Sequence, residues 1–456
     1  MRTLMLGWEF PPFISGGLGT ACYGLTKAMS EDGVEVVFVL PRPVRSDMAT
    51  HVRLMAPAVV TRRTRVSRTR GQVDVPGFRI DEMENVTFVP VPIAAVSPYD
   101  TEQTYCERLE RLESLQEIVT HKLVDVHSTE TLEAICPAGG AGAGEHYGRN
   151  LMAEVHRYAN LLMGFAPKIQ FDVVHAHDWM TFPAGLAVAG LTGKPLVVHV
   201  HSTEFDRSGE RVNQRVYDIE RAGMHGAAQV IAVSNMTKNI CVSRYGVPPD
   251  KITVVYNAIE LSNTVTEGPV KFEKDDRIVL FLGRITMQKG PEYFVAAAKK
   301  VLQKIDNVKF VMAGSGDMFR RVIELAAGLG IGHKILFTGF LRGDNVEKIF
   351  RMADLFVMPS VSEPFGLVPL EAMSQNVPVI ISKQSGVSEV ITHALKVDFW
   401  DIDEMANKII AVLRHPPLGE TLKKHAHFEI RKFSWRDASQ ACLSVYEKAL
   451  AGRGAS

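Results

Sequence analysis

The feature that most constrains the fold is a rhythm. Short apolar runs rich in β-branched residues recur along the chain, with glycine turns and stretches of helix formers between them. "RTLMLGW", "VEVVFVLP", "FDVVHAH", "PLVVHVH" and "AAQVIAVS" are such runs in the first half. A strand that alternates polar and apolar side chains has one wet face. These runs are apolar throughout, so both faces must be covered, as in a parallel sheet layered with helices. "TACYGLTKAMSEDG" reads as the helix after the first strand, stopped by Gly33.

The rhythm restarts after residue 272. "RIVLFLGR" reads as a strand and "GPEYFVAAAKKVLQKI" as an amphipathic helix. "VKFVMAG", "FRRVIELAAGLG", "KILFTG", "NVEKIFRMA", "LFVMPS", "LVPLEAMSQN" and "PVIIS" then continue the alternation. A chain of 456 residues is too long for one core, since single cores stop growing at roughly 250–300 residues. Two α/β domains are expected. The polar, patternless "LSNTVTEGPVKFEKDD" (261–276) reads as the linker between them. "SWRDASQACLSVYEKAL" reads as a last long helix with Ser434 as its N-cap. Residues 43–150 lack the rhythm. There the basic "TRRTRVSRTRGQ" reads as a solvated loop and "CPAGGAGAGEHYG" as a mobile one.

Charge narrows the partners. Lys plus Arg equals Asp plus Glu at 51 each, so net charge favours neither nucleic acid nor an anionic membrane. Cys22, Cys106, Cys136, Cys241 and Cys442 are scattered and odd in number, with no C-x-x-C pair. This points away from a disulfide framework and towards a reducing compartment. "MRTLMLGWEFPP" is broken too early for a signal peptide, and no apolar run approaches a membrane span. A cytoplasmic protein is expected.

In open α/β sheets, ligands gather beyond the carboxyl ends of the strands. In the first half, "EFPPFISGGLGT" brings Gly16, Gly17 and Gly19 to that edge, where backbone amides can approach an anion. "VVHAHDW" brings His177 and Asp178; "PLVVHVHSTEFDR" brings His199 and His201 on one face of their strand. Two histidine-bearing strand ends fit a polar pocket, although a single histidine there is more often structural. No H-E-x-x-H helix or Cys/His spacing is present, so no metal site is expected.

In the second half, Arg284 and Lys289 follow a strand end in "FLGRITMQKG". A guanidinium fork and an ammonium point charge together suit a diphosphate. "MAGSGDM" adds a glycine turn at Gly314. In "SEPFGLVPLEAM", Glu363 leaves a strand, Gly366 permits close approach, and the amides of Gly366, Leu367 and Val368 begin a helix that carries Glu371. Carboxylates beside an anion site are repelled unless they face neutral hydroxyls. A ligand with a phosphate centre and hydroxyl-rich rings at both ends, a nucleotide sugar, meets both demands.

With these motifs in hand, the chain resembles the retaining glycosyltransferases of the GT-B fold. "EPFGLVPLEAM", Arg284, Lys289 and "GGLG" carry the resemblance over residues 1–42 and about 171–450. The opening strand, "GGLG" and "HAHDW" look most like glycogen and starch synthases. The resemblance implies two Rossmann-like α/β/α domains whose parallel sheets face a central cleft: residues 1–262 on the acceptor side and 263–435 binding the nucleotide sugar. The helix 436–456 would cross back to the first domain. The linker and that helix would serve as hinges of domain closure.

The resemblance also assigns roles. Glu371 would hold ribose hydroxyls, and Glu363 the hydroxyls of the transferred sugar. Arg284 and Lys289 would neutralise the departing diphosphate, aided by Gly366, Leu367, Val368 and Gly314, with Gly16 and Gly17 from the opposite domain. His201 would lie against the sugar, and Asp178 and His177 on the sugar or acceptor side. The expected reaction is transfer of glucose or a related hexose from a nucleotide-diphosphate sugar (UDP- or ADP-glucose) to an α-1,4-glucan or maltodextrin. Neither cofactor nor metal is expected. Two departures bear on the donor. Ser15 stands where many bacterial glycogen synthases carry lysine, and "KQSGVSEVI" lacks the usual double glycine. A glycolipid, envelope polysaccharide or trehalose- or sucrose-type product on the same fold is the nearest alternative. A non-catalytic nucleotide-sugar-binding protein is another.

Overall fold

The structure is a computed structural model, and it describes residues 1–10, 17–41, 86–91, 151–260, 276–341 and 343–452. The basic run, the Gly/Ala-rich segment, the linker but for Asp276, and Gly16 lie outside these residues.

The apolar runs form two parallel sheets. The first holds seven strands: β1 (Arg2–Leu6), β2 (Glu35–Pro41), β3 (Val86–Val91), β4 (Val173–His177), β5 (Leu196–Val200), β6 (Gln229–Ala232) and β7 (Ile252–Val254). Their order is β3-β2-β1-β4-β5-β6-β7. The second holds six: β8 (Arg277–Leu282), β9 (Val308–Ala313), β10 (Ile335–Gly339), β11 (Leu355–Met358), β12 (Val379–Ser382) and β13 (Leu395–Val397). Their order is β10-β9-β8-β11-β12-β13.

Both faces of the central strands of each sheet are buried, as uninterrupted apolar strands require. Leu4 and Leu6 pack with Val174, Ala176 and Val198 on one face. Met5, between them in sequence, packs with Val173, Val197 and Ile231 on the other. The second sheet repeats this, with Val279 and Phe281 on one side and Ile278 and Leu280 on the other.

The helix after β1 starts at Gly17, three residues before the apolar periodicity begins, and ends at Glu31; Gly33 takes φ 76°. The last helix, Trp435–Ala451, is capped by Ser434 Oγ, which accepts from Arg436 N at 3.2 Å. It does not stay with the second sheet. Cys442, Val445 and Tyr446 pack against Met5, Val36 and Phe38 of the first. Gly24 makes room for it, since a Cβ there would lie 2.1 Å from the Trp435 ring. Among the described residues no helix is long and apolar enough to cross a membrane. Cys22, Cys241 and Cys442 are free and buried.

Candidate functional site

Each sheet reverses its strand order once, between β1 and β4 and between β8 and β11. At such a point the loops from neighbouring strands diverge and leave a crevice beyond the carboxyl ends. The candidate residues come from these four strand ends and from β5. Glu9 and Gly17 follow β1, Asp178 follows β4, and His201 follows β5. Arg284 and Lys289 follow β8, and Glu363 follows β11. All of these line one cleft shared by the two halves.

On the second-domain wall, Lys289 Nζ donates to Glu363 Oε2, and Ser360 Oγ donates to the same oxygen at 3.2 Å. Glu363 is nearly buried, and a backbone bridge to Ser385 fixes its strand-like course. Gly366, at φ 104°, turns the chain into the helix Leu367–Ser374. A Cβ at Gly366 would meet Val387 at 3.1 Å and Glu363 Cγ at 3.2 Å. Gly366, Leu367 and Val368 therefore present the helix start to the cleft. Gly17 stands on the other side of that start, since a Cβ built on it would lie 3.8 Å from Leu367 Cδ1.

On the first-domain wall, Asp178 adopts φ 58°, uncommon for a residue with a side chain. Its Oδ1 accepts from His201 N at 2.7 Å and Ser202 N at 3.3 Å, which ties the ends of β4 and β5 together. Burial lifts its carboxyl to about 7, against the opposing pull of Arg207 and the His201 amide. Behind it lies a layer of four imidazoles, His175, His177, His199 and His201, with ring centroids 4.1–5.3 Å apart. Desolvation, then mutual repulsion of their charged forms, lowers His177 and His199 and brings His175 to about 3. Desolvation alone brings His201 to about 3.

Two polar joints hold the walls in register. Ser362 Oγ donates to Asp206 Oδ1 at 2.5 Å. Glu389, in the second half, accepts from Asn235 N at 2.9 Å and Met236 N at 2.6 Å, capping a first-half helix from outside. Tyr256 OH joins that carboxylate at 3.1 Å.

Of the residues singled out from sequence, Gly17, Asp178, His201, Arg284, Lys289, Glu363, Gly366, Leu367 and Val368 meet in the cleft. His177 lies one layer behind, with its Nδ1 2.9 Å from His201 Nε2. Glu371 stands one turn into the Leu367–Ser374 helix, is half-buried, and is not among the cleft's lining residues. Burial lifts its carboxyl to about 7. Gly314 is also set back, because its backbone packs on Gly283, whose carbonyl a Cβ would meet at 1.8 Å.

Sequence reasoning missed His175, Glu9, Gln288 and Arg207. His175 was legible, because H-A-H puts two histidines on one face of β4 by period two. Arg207 was not. It lines the cleft but is paired with Glu204 and Glu220, and those partners come together only in the fold.

Comparison with known proteins agrees along the chain. Residues 265–427 match the family described as glycosyl transferases group 1. Residues 134–263 match glycosyltransferase family 4, and residues 2–132 match the starch synthase catalytic domain. An uncharacterized glycosyltransferase of Methanocaldococcus jannaschii is 35% identical over 299 residues, covering 62% of this chain and 76% of that protein. A D-inositol 3-phosphate glycosyltransferase of Pseudarthrobacter chlorophenolicus is 28% identical over 303 residues, 62% of this chain and 72% of its own. Among solved structures, sucrose-phosphate synthase from Thermosynechococcus elongatus superposes with TM-score 0.69 at 18% identity, covering 99% of both chains. Anabaena HepE in complex with UDP and glucose gives TM-score 0.64 at 15% identity, covering 98% of this chain and 99% of its own. At these identities the structural likeness is one of fold.

Proposed function

This chain belongs to the glycosyltransferases and has their GT-B fold, and we propose that it is a retaining, metal-independent hexosyltransferase. The donor is a nucleoside-diphosphate sugar, with glucose or a close relative as the sugar. The acceptor is a carbohydrate, first among them an α-1,4-glucan or maltodextrin end. One observation carries this reading. Arg284, Lys289 and the helix start at 366–368 form one wall of a cleft whose other wall holds Gly17, Asp178 and His201.

The chemistry follows from where charge develops. As the bond from the anomeric carbon to the diphosphate breaks, its electron pair passes to the phosphate oxygen. Fixed cations and amides aimed at that oxygen lower the barrier without reorganising. The acceptor hydroxyl bonds to the anomeric carbon on the same face and gives its proton to the leaving phosphate. His201 and Asp178 hold the sugar side. Glu363, anchored by Lys289 and Ser360, accepts from sugar hydroxyls. The match of residues 2–132 to the starch synthase catalytic domain supports the glucan acceptor. The buried free cysteines support a reducing, cytoplasmic setting.

A second reading keeps the donor and changes the acceptor to a small phosphorylated polyol. The D-inositol 3-phosphate glycosyltransferases among the relatives favour it. Thermal-shift titration with UDP-, ADP- and GDP-sugars identifies the donor, since a ligand of the native state raises Tm. Product analysis with maltodextrin and polyol phosphates then separates the acceptors, and NMR of the new linkage reads its anomer. No stabilisation by any nucleotide sugar, or an inverted product, would overturn the proposal.

A further inference from the structure

We propose that the imidazole layer behind the cleft is a metal site, in which His175, His177 and His199 hold a zinc-class divalent cation that braces β4 against β5.

The two strands each carry an H-x-H pair on the same face, and His177 pairs directly with His199 across the strands. One ring nitrogen from each of His175, His177 and His199 lies within 4.8 Å of the other two. Zinc at about 2.0–2.1 Å from each nitrogen needs edges of about 3.4 Å, so the rings must turn and draw together to complete the site. All three rings are buried, and His175 Nε2, His177 Nε2 and both nitrogens of His199 lack a hydrogen-bond partner. An imidazole sealed in a core with neither nitrogen satisfied costs about 1–3 kcal/mol per unmet group. A cation removes that cost.

The surrounding hydrogen bonds aim the free nitrogens. His175 Nδ1 lies 2.6 Å from Tyr446 OH, and with the proton on Nδ1 a lone pair remains on Nε2. His177 Nδ1 lies 2.9 Å from His201 Nε2, and with the proton on Nδ1 the Nε2 of His177 is likewise free to ligate. Metal-bound histidines commonly have the far nitrogen fixed in this way, which sets the tautomer and the ring orientation. Glu9 and Asp178 are also buried, at the cleft end of this wall. The cation lies a layer behind the first-domain wall, across the cleft from Arg284 and Lys289, so its part is structural.

The test reads metal content and stability. Protein expressed with zinc should retain about one metal per chain through dialysis. Protein expressed in cobalt-supplemented medium should show the visible d–d absorption of nitrogen-ligated cobalt. His199→Gln and His175→Gln should lose both. Chelation at elevated temperature should lower the Tm of the wild-type protein, which decides the matter if the variants fail to fold. Metal far below one per chain, with no cobalt band and no chelator effect, would show a packed or hydrated histidine stack and overturn the site.

Discussion

Lys289 donates to Glu363 Oε2 across the turns that follow β8 and β11, so a cation of the cleft is already held by an acid of the same wall. The pair fixes both side chains before any ligand arrives. Removing one partner leaves the other charge nearly buried. Lys289→Met is therefore expected to destabilise the fold, by at most about 3–5 kcal/mol, the range for a broken buried pair. The partial exposure of Lys289 favours the lower end. Adding Glu363→Gln should return most of that stability but none of the activity. Urea denaturation of both variants and the double variant measures the coupling, and additive losses would show that the pair carries no energy.

Arg284 speaks to the chemistry directly, from the wall that faces the leaving group. Losing a donor to a developing oxyanion typically costs about 2.7–4 kcal/mol. Arg284→Ala should lower kcat about 10²–10³-fold, with far-UV circular dichroism unchanged. Turnover near the wild-type rate would remove the charge-neutralising wall from the mechanism.

Glu371 gives a pH signature. In the fold its carboxyl keeps its proton up to about 7, against 4.5 for a free side chain. Between those values the folded state binds the extra proton. The stability contributed by Glu371 is thus present at low pH and is lost as pH rises through about 7. Glu371→Gln should gain stability relative to wild type over that rise. If the carboxylate accepts ribose hydroxyls, binding favours its ionised form. Affinity for a nucleoside diphosphate should then increase through neutral pH in the wild type and stay flat in the variant. Calorimetry across the range checks this, and parallel profiles would detach Glu371 from the nucleotide.

The joint between the halves rests on a close approach. A Cβ at Gly386 would lie 2.2 Å from the Pro364 carbonyl oxygen and 2.5 Å from Ser234 Cβ. Neither the carbonyl nor the Ser234 Cβ can swing aside. Gly386→Ala should push the walls apart, lower Tm, and raise the KM for donor. Glu389→Ala, which removes only the capping carboxylate, should cost about 0.5–2 kcal/mol. Thermal melts and donor titrations separate the two, and an unchanged KM in Gly386→Ala would show that the joint does not set the cleft.

Local chemistry made much of this protein legible in its sequence. Unbroken apolar strands require cover on both faces, so "FDVVHAH" and "PLVVHVH" read as buried parallel strands. Ser434 announces the last helix because a hydroxyl at that position satisfies its free amides. The tertiary structure alone decided the pairings between distant segments. Lys289 meets Glu363, Ser362 meets Asp206, Glu389 caps a helix that begins at Asn235, and Arg207 spends its charge on Glu204 and Glu220. Each of these joins residues brought together by sheet order and loop course, which a one-dimensional pattern does not encode. Period two puts His175 with His177 and His199 with His201. Only the adjacency of β4 and β5 makes a single layer of all four.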